Sequence, residues 1–233
     1  RELYEPIPRG SDPPRLNRTE PPQQGERRVT VQGPDDTTYL LLAHHVPNST
    51  HPDFIPLMVL DSLLTGPSNL NIFGSGISNK TSRLYRALVE GDLAVSVHGG
   101  VGATIDPFLH IISCIVRPEK TAEQVLQRIE DEIRRLQDSP PPAEEIRRAS
   151  KQARALFAYG SESISNQAFW MGFSEMFATY EWYLAILDRL AQVTPEDVQR
   201  VAQTYLLARN RVVGVYLPED STSPQSEESE PQL

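Results

Sequence analysis

The sequence predicts an α+β fold: one antiparallel β-sheet with helices packed mainly on one face. Three observations carry this. Two pairs of strand-like segments fall in the first half, one joined by turn residues and the other by a Gly-rich connection. From Pro118 to Tyr205 the apolar residues recur at helical spacing. One more alternating segment, Arg211 to Leu217, closes the run, and no strand–helix–strand rhythm of a doubly wound sheet occurs.

Residues 1–27 read as a linker from an upstream domain. Pro6, Pro8, Pro13, Pro14, Pro21 and Pro22 forbid helix there, and the start at Arg1-Glu2-Leu3-Tyr4 is expected of a fragment. Residues 28–217 are the expected single α+β domain. Arg28 to Gln32 alternates as a half-buried strand, and Gly33-Pro34-Asp35-Asp36 is turn chemistry. Thr38 to Val46 is apolar on both sides, as a central strand is; the two are expected to form a hairpin. Asp53 to Leu64 reads as a buried helix, with Asp53 placed to favour its N-terminus.

Residues 66–80 form a Gly/Ser/Asn-rich loop. Gly74, Ser75 and Gly76 are a candidate peptide-contacting loop; they lack the Lys-Ser/Thr ending of a phosphate-binding loop. Thr81 or Ser82 caps the next helix. Leu84, Ala87 and Leu88 form its buried stripe, while Arg83, Arg86 and Glu90 face outward. Gly91 suits a left-handed stop. Leu93, Val95 and Val97 then alternate with Ala94, Ser96 and His98 as a strand, and Pro107 to Val116 is its antiparallel partner.

Thr121 with Gln124 predicts a capping box, and Pro140-Pro141-Pro142 ends that helix. Further helices are expected from Ala143 to Tyr159, from Ser161 or Ser163, around Tyr180, Trp182 and Tyr183 as far as Leu190, and from Thr194-Pro195-Glu196-Asp197. Residues 218–233 are Ser/Glu/Pro-rich, and an acidic disordered tail is expected.

Charge and cysteine content exclude several functions. The net charge is −9; without the five acids from Glu219 on, 26 acids face 22 bases, a net −4. No basic surface for nucleic acid is implied. No apolar stretch reaches the ~18 residues of a membrane span. Cys114, the single cysteine, lies in an apolar run and reads as a buried hydrophobe. The five histidines, His44, His45, His51, His98 and His110, never form His-x-x-Glu-His or His-Glu-x-x-His. His44 and His45 point to opposite faces of a strand, so they cannot easily share an ion and are expected at a solvated or hydrogen-bonded strand end. His98 and His110 lie on neighbouring strands and could face each other, without a third ligand in view. Glu144-Glu145 opens a helix and reads as solvated. No catalytic residue and no metal ligand set is expected in this chain.

Ser82-Arg83-Leu84-Tyr85, Leu88-Val89-Glu90 and Leu93-Ala94-Val95-Ser96-Val97 together resemble the second domain of the insulinase/pitrilysin-type zinc metallopeptidases, the family of the mitochondrial processing peptidases. Tyr4 to Pro8 is similar to the interdomain linker of that family, and Thr194 to Tyr205 to its last helix. The resemblance implies two similar α+β domains closing around an unfolded peptide. It places zinc on His-x-x-Glu-His in a missing catalytic domain or partner subunit, so this chain is expected to be inactive alone. The implied partners are that upstream domain or second subunit, and unfolded peptide substrate. Members of the family hold substrate with an Arg and a Tyr; here those positions are Val89 and Val95, which donate no hydrogen bond. Two alternatives stay open: an inactive scaffold subunit, like the core subunits of respiratory complexes that share the fold, and a module that binds extended peptides.

Overall fold

The computed structural model describes residues 10–11, 20–66 and 80–219. Among the described residues five strands form a single sheet: β1 (Arg27–Gly33), β2 (Tyr39–Val46), β3 (Ala94–Val101), β4 (Phe108–Val116) and β5 (Arg211–Pro218), in the order β1-β5-β2-β4-β3. Three pairings are antiparallel, and β1 pairs with β5 in parallel. The sheet is therefore mixed, with one parallel edge. The expected hairpin of β1 with β2 does not form, because β5 lies between them. The reason is burial. Leu40, Leu42, Ala43 and Val46 of β2 are all buried, so this strand takes the centre, between β4 and β5. The residues of β1 are exposed except Gly33, which suits an edge.

One face of the sheet is covered. Leu40, Leu42, His44 and Val46 of β2, with His110, Ile112, Cys114 and Val116 of β4, point into the core at period two. The helices over them are α1 (Phe54–Leu64), α2 (Ala122–Asp138), α3 (Ala143–Gly160), α4 (Ile164–Ser174), α5 (Tyr180–Leu184), α6 (Ile186–Gln192) and α7 (Pro195–Tyr205). All residues of α1 but Ser62 are buried, as its continuous apolar sequence requires. In α2 the stripe Val125, Leu126, Ile129, Ile133 and Leu136 is buried. Each such side chain contributes roughly 1.5–3 kcal/mol by leaving water.

The predicted starts of α2 and α7 are both present. Thr121 and Gln124 make a reciprocal capping box, and Thr194 does the same with Asp197. Asp53, at the start of α1, makes no side-chain cap. Its carboxylate instead accepts from Arg200 (2.7 Å) and from the Tyr205 hydroxyl (2.8 Å), tying α1 to α7. The single helix expected through Leu190 is two, α5 and α6, meeting at Ala185; no Gly or Pro explains the break.

Candidate functional site

Residues 82–97 build a turn and a strand at the sheet edge. The predicted helix is a π-helical turn, Tyr85–Val89, with Glu90 N–H donating to Tyr85 O at 3.1 Å and Leu93 N–H to Leu88 O at 2.8 Å. Such turns cost hydrogen-bond geometry and occur often at functional sites. Ser82 Oγ accepts from Tyr85 N–H at 3.3 Å, and Leu84, Ala87 and Leu88 are buried as the stripe predicts. Arg83 does not face freely outward. It is paired with Glu145 of α3 at 2.9 Å, which also corrects the solvated reading of that carboxylate.

Gly91 is required, but not for a left-handed stop. Asp92 takes that conformation, with φ of 55°. A Cβ on Gly91 would lie 2.3 Å from the carbonyl oxygen of Ala87, so glycine is needed for close approach.

Val89 ends the turn, half-buried against the core. Val95 is 53% exposed. The expected alternation fails here because the β3–β4 register shifts between Ala94 and Ser96. Val95 is the extra residue of that irregularity, so Ala94 and Val97 both turn inward. Gly74, Ser75 and Gly76 lie outside the described residues.

Sequence reasoning missed a polar row inside the apolar layer. His44 and His110 are paired in register on β2 and β4, their rings 6.2 Å apart, and both are buried. His98 instead stands opposite Ser113, so His98 and His110 do not face each other. His110 Nε2 lies 2.9 Å from Asp61 Oδ1 of α1, and Thr65 Oγ donates to the same oxygen at 3.0 Å. On the other side of His44 stands Arg211 of β5. Its guanidinium donates to Glu26 at 2.7 Å and also to Glu130 of α2. Among the described residues neither ring nitrogen of His44 has a hydrogen-bond partner. Burial, reinforced by His110 and Arg211, pushes its pKa down to about 3. The signal was in the sequence: Leu40, Leu42, His44 and Val46 share one face, so an inward strand places His44 inward too.

These residues do not fit a zinc ion. Asp61 already faces the His110 ring nitrogen, and among the described residues no group of three or more His, Cys, Asp or Glu side chains could hold a metal. Cys114 is buried, and burial pushes its thiol up to about 12, so it is an inert core residue. No helix among the described residues is long and apolar enough to cross a membrane.

A sheet covered on one face by helices, with His44 and His110 inside the core, defines an α+β domain whose described residues hold no zinc-peptidase centre. The family described as Peptidase M16 inactive domain matches residues 2–153, and the chain belongs to it: the zinc-free domain class of the insulinase-type metallopeptidases. The fold is shared with solved structures. A protease from Helicobacter pylori is 21% identical with a TM-score of 0.79, over 90% of this chain and 48% of that one. A peptidase M16 inactive domain from Pseudomonas fluorescens is 18% identical with a TM-score of 0.71, over 91% and 48%. The inactive peptidase domain from Bordetella parapertussis is 24% identical with a TM-score of 0.68, over 80% and 96%. This chain thus spans about half the length of the first two. No curated protein matches it.

Proposed function

We propose that this chain is the non-catalytic half of a zinc metalloendopeptidase and forms one wall of a peptide chamber. The family membership over residues 2–153 carries this reading. Zinc belongs, on this reading, to His-x-x-Glu-His of a separate domain or subunit. The open sheet face supports the wall: Val29 and Val31 of β1 with Tyr39 and Leu41 of β2 are all exposed there. Val89 and Val95 leave the wall without its charged and phenolic contacts, so substrate is met by apolar surface. The organisation proposed is a linker over 1–27, the domain over 28–217 and an acidic tail over 218–233. The end of the linker is tied down, since Gln23 donates to the Arg211 carbonyl and Glu26 accepts from the Arg211 guanidinium.

Reconstitution tests the reading. The chain is mixed with, or fused to, a domain carrying His-x-x-Glu-His from the same genome. Stable association and chelator-sensitive cleavage of an unstructured peptide are expected; no association with any such domain counts against it. One observation favours a second reading, an inactive scaffold subunit. A chain of Complex III2 from Candida albicans shares the fold, 14% identical with a TM-score of 0.64 over 82% of this chain. That reading predicts the same association with no peptide cleavage.

A further inference from the structure

Where α1, the end of β3 and helices α3 to α6 meet, the packing leaves a half-open cavity of about 300 Å³. Protein interiors are close-packed, with few voids larger than a water molecule. An engineered apolar cavity of roughly 150 Å³ stays dry and takes up benzene. The space here is about twice that, and among the described residues no charged side chain lines it. Half of its lining residues are aromatic, among them Phe157, Trp170, Phe173, Phe177, Trp182 and Tyr183. The indole N–H of Trp182 is already donated to the Ser49 carbonyl at 3.0 Å, so that ring offers only its apolar surface.

Helix α4 supplies an independent observation. Ile164, Phe169, Trp170, Met171 and Phe173 make it apolar on several sides, yet Ser174 is its only buried residue. A helix of that composition normally lies within a core. Phe169 stacks on Phe173, which meets Trp170 and Phe177 edge-on; Trp170, Phe173 and Phe177 are half-buried and Phe169 is exposed.

We infer that this cavity is a binding site for a neutral, bulky apolar group of one or two aromatic rings. The size sets the ring count, the absence of lining charge sets neutrality, and the ring-on-ring lining favours an aromatic over an aliphatic occupant. The group has two sources, a free small molecule or the side chain of a bound peptide. The inference does not depend on the peptidase reading, because it is read on this chain alone.

The chain provides its own reporter: it has two tryptophans, and both line the cavity. Titrating the full chain with the neutral two-ring fluorophore prodan is expected to quench tryptophan emission saturably, with one molecule bound per chain. Ala103→Phe, which fills the space, is expected to weaken binding at least tenfold. Phe173→Ala, at a half-buried wall position, serves the same purpose where Ala103→Phe does not fold. Ile105→Ser removes an exposed apolar residue that does not line the cavity and is expected to leave binding unchanged. A Gly/Ser peptide bearing one Phe assigns the source to a peptide side chain if it displaces the fluorophore while its Phe-free version does not. Failure of both to displace assigns it to a free small molecule. Unsaturable quenching, or equal binding by wild type and both wall variants, overturns the inference.

Discussion

At His44 an imidazole sits in the apolar layer with neither nitrogen hydrogen-bonded among the described residues, opposite His110 and beside Arg211. It is neutral when folded, and its pKa falls from 6.5 to about 3. The sign follows. The unfolded chain takes up a proton near 6.5 that the folded chain refuses, so this contribution to stability is complete above pH 6.5 and is lost as pH falls toward 3. For one proton the slope is up to roughly 1.4 kcal/mol per pH unit. Urea unfolding of wild type between pH 7 and 4 is expected to show this decline, and His44→Leu to flatten it; equal slopes would count against the account. At Asp53, two charge-assisted or phenolic bonds join α1 to α7. Asp53→Ala is expected to cost about 1–2 kcal/mol, discounted because Arg200 is half exposed. Asp53 was legible as a helix-start residue, but its partners were not, since Arg200 and Tyr205 lie far away in sequence.

At the scale of elements, local chemistry was readable and non-local pairing was not. The Thr121 and Thr194 capping boxes lie within four residues, so composition alone marks them. Thr194→Ala is expected to lower stability by about 1 kcal/mol, measured by the denaturant midpoint. The parallel pairing of β1 with β5 joins residues at opposite ends of the domain, and no short-range pattern encodes it. The shift at Val95 was likewise hidden, because a strand with one extra residue still reads as alternating. Gly91 shows the mixed case. The sequence marks it as special, but the structure supplies the reason, contact with the Ala87 carbonyl. Gly91→Ala is therefore expected to destabilise the domain by about 1–3 kcal/mol, because the obstacle is backbone. Asp92→Gly, at a positive φ, is expected to be neutral or stabilising.

For the whole molecule, the α+β class and the covered sheet face followed from periodicity, and the family from short motifs in order along the chain. The His44–His110–Asp61 row lies on the inward faces of β2, β4 and α1, so only knowledge of which strand face turns inward reveals it. The proposed role rests on what the chain does in company. In an assembled peptidase, Val89→Arg with Val95→Tyr is expected to lower KM for an extended peptide severalfold by restoring donors to the wall; an unchanged KM would separate these positions from substrate. The central measurement is cleavage of an unstructured peptide by this chain alone, by a domain carrying His-x-x-Glu-His alone, and by the two together, with and without a zinc chelator. The account predicts no cleavage by this chain alone and chelator-sensitive cleavage by the pair well above that of the catalytic domain. Cleavage by this chain alone, or a catalytic domain indifferent to its presence, would contradict it.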